Sequence, residues 1–502
     1  MATPVHAAQE VFDRVRTLFQ NSEFNEQTAE QRAVDKDFPF PPFSDGQVPE
    51  DSDAAGILMG MFLRAGTASA ALFERKLGAR AADDLLTLGL IESNGNGYKA
   101  TVRIRPMYGL YILSDLWDST AGPNPPNLAD DVVFPPDIPN TLTYLSYIPL
   151  DPCERFLEGC GGSGVVALMM ARRGAKHAWS FDITERSTSF AGFSARLNGL
   201  DNFTAGCGDT YAPAGGLQFD RIAVHPPYVP VLKHTWIYHA GGNDGEQITR
   251  KHVQDLHKVL APGGRFYCRC LGSDRQDSPF EKRIREWLGE HTEEFDVAVH
   301  VIRILEPITY VMAALMRGRA KAEEIPEWGR LFESLKVFHF LASVVVIQRR
   351  AEQRPVFTVR RKAGPFSGPR ELEWLLHWET ERARGCEDVI LQSKLRAGKT
   401  MLQLTHGIHE GKWALAEQKL EVEHPYPNTW EVDPLGAYLI PKLTGAATGA
   451  EVFEGLIREG VIGGNLDARR FARTLGELVS GGFVVVDGHE PPLPKEREQE
   501  EI

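Results

Sequence analysis

The sequence has no long apolar run, few cysteines and a deficit of positive charge. None of its 502 residues lies in an apolar stretch long enough to span a bilayer, and the N-terminus lacks the basic and apolar segments of a secretory signal. The six cysteines follow no zinc-ligand spacing, so we expect free thiols, no metal site and a cytoplasmic location. The formal net charge of −13 disfavours a large nucleic-acid interface, because phosphate contacts need clustered Lys and Arg.

The composition changes along the chain indicate a core with appendages at both ends. The predicted divisions are a helical N-terminal domain (1–120), a linker or lid rich in Pro and Asp (121–141), a Rossmann-like α/β domain (142–350), an α+β accessory domain (351–490) and a disordered tail (491–502). Residues 54–105 have the order of helices and hairpin that is typical of a winged helix. A homodimer formed through the terminal domains is a further hypothesis.

The most informative segment is a short apolar run that ends in two prolines. Phe219–Val224 is typical of a central strand covered on both faces, and His225-Pro-Pro-Tyr228 follows it. Neither proline can donate a backbone N–H, so the strand must end there. Because ligands bind at the C-terminal ends of strands in open α/β sheets, this loop is predicted to form the floor of an active site.

Three further features follow predicted strands. The glycine-rich turn at 158–164 permits the backbone to approach a ligand closely. Asp182 ends the next strand, where a carboxylate can accept hydrogen bonds from ribose hydroxyls, and Asp209 follows the strand after it. Since the C-terminal ends of parallel strands meet at one edge of a sheet, we expect these features and the Pro-Pro loop to lie at one site.

In this order the four features resemble the class I S-adenosylmethionine-dependent methyltransferases. The Pro-Pro loop narrows the resemblance to the branch with an Asn/Asp-Pro-Pro-Tyr/Phe motif, which contains release-factor glutamine N5-methyltransferases, small-domain rRNA guanine N2-methyltransferases and adenine N6-methyltransferases. Residues 191–200, the Gly-Gly-Asn-Asp-Gly segment at 241–245 and the later Ala-Pro-Gly-Gly turn are also similar to this branch. The resemblance covers about 142–350 and implies S-adenosyl-L-methionine as the cofactor.

The resemblance also implies roles for single residues. The glycine turn would cradle the methionine part of the cofactor, Asp182 would hold the ribose and Asp209 would accept from the adenine amino group. Tyr228 would face the target amine or pack on a planar substrate. The implied cofactor-binding residues are Glu158, Gly159, Cys160, Gly162, Gly164, Asp182, Ile183, Asp209, Thr210 and His225, and the implied catalytic residues are His225, Pro226 and Tyr228.

Two residues depart from the pattern of this family. Cys160 stands where the first glycine of the turn is expected, and His225 stands where the branch has Asn or Asp. In the branch that side chain, together with a proline carbonyl, accepts hydrogen bonds from a planar NH2 group. Neutral His offers only one acceptor nitrogen, and it can also donate a hydrogen bond or act as a general base.

The sequence therefore predicts methyl transfer to a nitrogen of a protein side chain or small molecule, with residues 225–228 positioning the acceptor. Three alternatives stay open: an O-methyltransferase of a small metabolite with His225 as the base, an rRNA N-methyltransferase, and a non-enzymatic winged-helix regulator that binds the cofactor. Asp83 and Asp84 in the predicted third helix disfavour DNA recognition. A cofactor-binding paralogue that stabilises a catalytic partner is a further rival.

Several residues near the Pro-Pro loop allow simpler interpretations. His252 and His257 are predicted to face solvent from a helix, and their spacing fits no metal template. Trp236 and Tyr238 are candidates for a substrate pocket or for ordinary packing.

Overall fold

The computed structural model describes residues 3–32, 46–95, 97–116, 130–233, 237–316, 318, 320–463 and 466–494. The chain divides into two compact units, Met1–His291 with Leu305–Arg349 and Thr292–Ile304 with Arg350–Ile502. The sequence-based domain boundaries stay predictions. Residues 117–129, which include the first part of the predicted linker, and residues 495–502 of the predicted tail lie outside the described residues.

The helices and strands are numbered in chain order. The helices are α1 (Gln9–Asn21), α2 (Glu26–Gln31), α3 (Ala54–Phe62), α4 (Ala70–Leu77), α5 (Ala79–Thr87), α6 (Pro139–Ser146), α7 (Val165–Arg173), α8 (Glu185–Leu197), α9 (Gln247–Gln254), α10 (Leu256–Val259), α11 (Phe280–Leu288), α12 (Pro307–Met316), α13 (Ile325–Ser334), α14 (Pro369–Arg384), α15 (Glu387–Gln392), α16 (Pro434–Leu439), α17 (Gly449–Arg458) and α18 (Ala468–Ser480). The strands are β1 (Thr67–Ser69), β2 (Ile91–Ser93), β3 (Gly97–Ala100), β4 (Arg103–Met107), β5 (Leu110–Ser114), β6 (Cys153–Gly159), β7 (Ala175–Asp182), β8 (Phe203–Cys207), β9 (Phe219–Val224), β10 (Leu260–Arg275), β11 (Phe295–Leu305), β12 (Val337–Arg349), β13 (Thr358–Lys362), β14 (Lys394–Ala397), β15 (Thr400–His409), β16 (Lys412–Val422), β17 (Asn428–Glu431), β18 (Thr444–Thr448) and β19 (Val484–Val486).

The central sheet of the first unit contains the strands β12-β10-β9-β6-β7-β8 in spatial order. The strands from β10 to β8 pair in parallel, whereas β12 is antiparallel to β10. Parallel pairing requires a crossover between consecutive strands, and α7 and α8 supply the first two. The prediction of a Rossmann-like core is therefore confirmed, and the antiparallel β12 makes the sheet mixed.

The strands around the site form where apolar residues follow one another. Ile222, Ala223 and Val224 of β9 are fully buried, as expected for a strand with neighbours on both sides and both faces covered. The helix α8 begins at Thr184, whose side chain accepts a hydrogen bond from the backbone N–H of Ser187. These local signals fix the point at which each parallel strand ends and its helix begins.

The N-terminal part of the first unit shares a hydrophobic core with the α/β part. The rings of Phe12 on α1 and Phe193 on α8 lie 4.7 Å apart between their centroids, within one cluster of buried residues. Helices α3 to α5 and the sheet β1-β3-β2 follow one another over 54–100, close to the predicted elements. Their interpretation as a winged helix stays a prediction.

The second unit contains the parallel pair β11 and β13 and two three-stranded sheets, β18-β14-β19 and β15-β16-β17. By their register, several apolar side chains of β15 and β16 share one face of the hairpin. Each of them is at least half exposed: Leu402, Leu404, Ile408, Trp413 and Leu415. Within the described ranges, none of the helices has the length and apolar character needed to cross a bilayer.

Candidate active site

The C-terminal ends of β6, β7, β8 and β9 surround a cavity of about 320 Å³. The structure thus brings together the four features that the sequence placed at one sheet edge. Most of the implied residues line the cavity: Glu158, Cys160, Gly162, Asp182, Ile183, Asp209, Thr210, His225, Pro226 and Tyr228. The other two, Gly159 and Gly164, belong to the same turn and are not among the lining residues.

The glycine turn connects β6 to α7 and is tightly packed at Gly161. A Cβ atom there would lie 2.1 Å from Ser180 Oγ, so alanine at this position would require the Ser180 hydroxyl to move. Gly162 has a φ of +54°, yet a Cβ there would meet nothing within 4 Å, which leaves open space beside the turn. Cys160 has a φ of 52°, in the left-handed region that favours glycine. The turn therefore keeps the conformation of a glycine turn despite the cysteine.

Glu158 fastens this turn to the helix that follows it. The side chain is 2% exposed, and its Oε2 accepts a hydrogen bond from the Ala167 N–H at 2.9 Å. Burial raises the pKa of Glu158 to about 8, although hydrogen bonds from the backbone N–H groups of Ala167 and Val166 oppose this shift. The carboxyl group thus holds the first turn of α7 against β6 at the edge of the cavity.

Asp182 is held in place by the glycine turn and by its own chain. Its Oδ2 accepts a hydrogen bond from the Gly162 N–H at 2.9 Å, and its Oδ1 accepts from the backbone N–H and the hydroxyl of Thr184 at 3.0 and 3.1 Å. A carboxylate has about four acceptor positions, so Asp182 can accept about one further hydrogen bond from a ligand. The neighbouring Ile183 is 53% exposed and adds apolar surface to the cavity.

Asp209 lies at the more exposed side of the cavity. Its Oδ2 is 3.1 Å from Lys251 Nζ on α9, and both side chains are about half exposed. The next residue, Thr210, has a φ of 50°. The ion pair therefore links the loop after β8 to α9 across one side of the cavity.

The loop after β9 presents a histidine between two tyrosine rings. The ring centroids of Tyr144 and His225 are 5.0 Å apart, and those of His225 and Tyr228 are 5.6 Å apart. Burial, and secondarily the charge of Arg269, lowers the pKa of His225 to about 3. Arg269 is 7% exposed, and its guanidinium carbon lies 5.8 Å from the centre of the Tyr228 ring. His225 is therefore neutral near pH 7.

The Gly-Gly-Asn-Asp-Gly segment packs directly on this loop. The N–H of Gly241 donates to Val229 O at 2.9 Å, and the Val229 N–H donates to His239 O at 3.1 Å. A Cβ on Gly241 would lie 2.8 Å from the Tyr228 backbone, and one on Gly245 would lie 2.6 Å from Tyr228 O. These two glycines allow the segment to support the backbone of Tyr228.

The described end of the predicted linker forms a wall of the cavity. The buried carboxylate of Asp115 pairs with Arg186 and accepts a hydrogen bond from the Val133 N–H at 2.8 Å. This anchor holds Val133 while the next residues, Phe134 and Pro135, line the cavity. The sequence predicted this stretch as a linker or lid and did not assign its residues to the cavity, although the apolar run at 132–136 was a signal for it.

The prediction that His252 faces solvent is wrong. His252 is fully buried and lines the cavity, whereas His257 is partly exposed. The spacing of Thr249, His252, Val253 and Leu256 at i, i+3, i+4 and i+7 was the signal for one buried helix face. Tyr238 also lines the cavity, whereas Trp236 lies outside the described residues.

The polar groups of the cavity fit a nucleoside that carries an amino acid better than they fit a metal. Asp182 retains about one free acceptor position, and Gly162 leaves open space beside the turn. In the part of the chain that the structure describes, no three His, Cys, Asp or Glu side chains are grouped as metal ligands would be.

Comparison with known proteins gives one partial match in sequence. No model of a known protein family matches the chain. A protein of Methanocaldococcus jannaschii, provisionally named a protein N5-glutamine methyltransferase, is 29% identical over 109 residues. The match covers 20% of this chain and 54% of that protein, so the chain spans about half the length of this curated relative.

Solved structures of methyltransferases are similar to parts of the chain. A ribosomal protein L11 methylase from Lactobacillus delbrueckii subsp. bulgaricus is 16% identical, with a TM-score of 0.24 over 42% of this chain and 77% of that one. An rRNA methylase from Streptococcus thermophilus is 12% identical, with a TM-score of 0.24 over 41% and 93%.

The class of the core follows from its own geometry. The parallel strands β10 to β8, the glycine turn after β6 and the acid at the end of β7 together define a Rossmann-like core with a candidate ligand site at the C-terminal edge of its sheet.

Proposed function

We propose that the protein is an S-adenosyl-L-methionine-dependent methyltransferase. The observation that carries this proposal is the hydrogen bond between Asp182 and the glycine turn, in the same cavity as the loop 225–228. A cofactor site and an acceptor site then share one enclosure, which a direct transfer between two bound molecules requires. The partial match to a methyltransferase of Methanocaldococcus jannaschii supports the same activity.

The cofactor supplies an activated methyl group on a sulfonium, so the side chains need only bind, orient and exclude water. The turn containing Gly162 and the side chain of Asp182 would bind the methionine and ribose parts. The acceptor nitrogen would take the methyl group as the carbon–sulfur bond breaks with its electron pair left on sulfur, and the proton of the acceptor would pass to solvent water. The neighbouring rings of Tyr144, His225 and Tyr228 would hold the acceptor in line.

We propose a nitrogen of a protein side chain or small molecule as the acceptor. A general base works best when its pKa is near the working pH, and the pKa of His225 is about 3. This argues against an O-methyltransferase that uses His225 as the base. A neutral imidazole instead offers one acceptor and one donor, which suits an acceptor group that presents both an N–H and a carbonyl. The name of the curated relative, a protein N5-glutamine methyltransferase, fits such an amide.

The proposal is tested by measuring cofactor binding and methyl transfer separately. Titration calorimetry with S-adenosyl-L-methionine and S-adenosylhomocysteine reports binding. Incubation with methyl-labelled cofactor and cell extract, fractionated into protein, RNA and small molecules, reports the acceptor class. We expect binding of both ligands and label in the protein or small-molecule fraction.

Other outcomes would select the rival functions. Label only in RNA would support the rRNA N-methyltransferase, and binding without transfer to any fraction would support a regulator or a non-catalytic paralogue. A wild-type protein that binds neither ligand would overturn the proposal.

A further inference from the structure

The hairpin formed by β15 and β16 in the second unit is paired along its whole length. Ten residue pairs join the two strands, with one shift of register after Thr405. Glu410 and Gly411 form the turn, with φ values of 49° and 73°. Positive φ at both central residues belongs to the type I′ turn, whose twist matches that of paired strands. The sequence therefore specifies this hairpin by its own turn.

The two faces of the hairpin differ in composition. Side chains alternate between the faces of a strand and paired residues share a face, so Leu404 and Ile408 lie on the same side as Trp413. We name this side the apolar face, and its exposed members are Leu402, Leu404, Ile408, Trp413 and Leu415. The opposite face carries the charged side chains of β16: Lys412, Glu417, Lys419 and Glu421. One apolar and one charged face is the pattern of an antiparallel sheet that is covered on one side.

The apolar face is covered only at the base of the hairpin. Leu420, the partner of Leu402, is 5% exposed. Towards the turn the same face opens to solvent, where Ile408 is 70% exposed and Trp413 is 73% exposed. Large contiguous apolar patches on a protein surface mark interaction sites. Within the described residues, the cover that this composition requires therefore ends near the base.

We propose that a second copy of this chain covers the apolar face, with the two hairpins packed face to face about a two-fold axis. The inference gives a surface to the homodimer hypothesis and does not depend on the proposed function. The five exposed members present roughly 600 Å² per copy, so two copies would bury about 1,200 Å², which is the lower limit for stable specific interfaces.

A second copy fits this face better than a helix of another protein does. The face is one side of a ladder of paired strands, and sheets pack face to face on other sheets, whereas a partner helix lies in a groove. From Leu402 to Ile408 and from Trp413 to Leu420, this side carries no Asp, Glu, Lys or Arg, so its partner needs no complementary charge. The same face of another copy matches it in length, width and polarity.

The surroundings of the apolar face disfavour a lipid bilayer. Glu410 and Lys412 are exposed at the turn, so the tip of the hairpin carries charges that are costly to bring into hydrocarbon. Glu417 and Glu421 on the opposite face would be repelled by anionic headgroups. A contact that uses only the apolar face leaves these charges in water.

The oligomeric state of the full chain tests the proposal. By sedimentation equilibrium between about 0.5 and 100 µM we expect reversible dimerisation with a dissociation constant in the micromolar range, because the buried area is at the lower limit. Leu404→Lys places a charge on each apolar face and should weaken dimerisation at least about ten-fold. Gln403→Lys, the preceding position on the opposite face, is the matched control and should dimerise like the wild type.

Folding of the variants is checked separately. Both positions are exposed, so neither substitution should change the free energy of unfolding by more than about 0.5 kcal/mol. Urea denaturation below the dissociation constant measures the monomer of each variant without the contact between copies. Any loss of dimer in Leu404→Lys then reports on the interface alone.

Several results would overturn the proposal. These are a wild type that stays monomeric over the whole concentration range, a Leu404→Lys variant that dimerises like the wild type, and equal dissociation of both variants. Assemblies larger than two would also overturn it, because a two-fold contact uses each apolar face once. Flotation with vesicles of phosphatidylcholine and phosphatidylserine gives the last outcome: wild-type binding that is lost in Leu404→Lys and kept in Gln403→Lys would assign the face to a bilayer instead.

Discussion

The carboxylate of Asp182 accepts a hydrogen bond from the backbone N–H of Gly162 at 2.9 Å. This contact joins the ends of two neighbouring parallel strands, and it fixes the acid relative to the turn before any ligand binds. Pre-organisation of this kind lowers the cost of ordering a site on binding.

We predict that Asp182→Asn weakens binding of S-adenosyl-L-methionine about 10- to 100-fold, because hydrogen bonds to a charged group contribute about 1.5–3 kcal/mol. The NH2 group of the Asn side chain would also face the backbone N–H of Gly162 or of Thr184. In the wild type both of these groups donate to the carboxylate of Asp182. Calorimetric titration checks the result. Asp201→Asn, at an exposed turn, is the control and should bind like the wild type. If the two variants bound S-adenosyl-L-methionine with equal affinity, Asp182 would not be a cofactor-binding residue.

The glycine turn should not tolerate a single added methyl group at its centre. Gly161→Ala would place a Cβ 2.1 Å from Ser180 Oγ, and such overpacking costs about 1–3 kcal/mol. We expect a lower free energy of unfolding by urea denaturation and weaker cofactor binding. Adding Ser180→Ala should restore both, since the hydroxyl is the clashing group. Gly192→Ala on α8 meets only ordinary contact at 3.8 Å and serves as the control. Failure of the double variant to recover would show that the turn is limited by something other than this clash.

Arg269 should control the protonation of His225. Replacement by Met keeps an unbranched apolar side chain and removes the buried charge that disfavours the imidazolium. We expect Arg269→Met to raise the pKa of His225 from about 3 while leaving it below 6.5, because burial is the larger cause of the shift. A proton NMR titration of the imidazole Cε1–H measures this directly. An unchanged titration curve would mean that burial alone sets the pKa.

Buried neutral histidines should make the folded protein sensitive to acid. The pKa of His252 is lowered to about 4 in the folded state, so between that value and 6.5 the unfolded chain binds more protons. Its contribution to stability is fully present above pH 6.5 and is lost as the pH falls towards 4. In the His252→Asn variant, the unfolding free energy should fall less steeply as the pH decreases, by about 1.4 kcal/mol per pH unit within this window. The same substitution at exposed His406 should leave the slope unchanged, and urea denaturation at several pH values compares the two.

Breaking the ion pair behind the cavity wall should lower the free energy of unfolding more than breaking an exposed ion pair. Asp115→Asn leaves Arg186 buried without the carboxylate that pairs with it. Removal of one partner from a buried ion pair typically lowers the free energy of unfolding by about 3–5 kcal/mol. The exposed pair of Glu154 and Lys176 gives the comparison, and Glu154→Gln should change the unfolding free energy by less than about 1 kcal/mol. Urea denaturation measures both variants. Similar effects would contradict the role of Asp115 as the anchor of residues 131–136.

The α/β core could be predicted from the sequence because its signals are local. Apolar runs define β9 and the other strands, glycine and proline end them, and the parallel order brings their C-terminal ends together. Those signals were sufficient to bring Asp182, Asp209 and the loop after β9 to one cavity. The wall at 131–136 could not be predicted in the same way, because the ion pair that anchors it joins residues 71 positions apart in the chain.

The sequence by itself determined the Rossmann-like class of the core and the loops that meet at the cavity, since the order of strands in a parallel sheet fixes which loops converge. Only the tertiary structure decided the protonation state and the surroundings of the side chains. Burial sets the pKa of His225 and of Glu158, and the approach of α9 places His252 against Cys160 inside the cavity instead of in solvent. Both effects depend on which atoms surround a group in space. The helical spacing indicates a buried face of α9, but it does not specify which atoms meet that face.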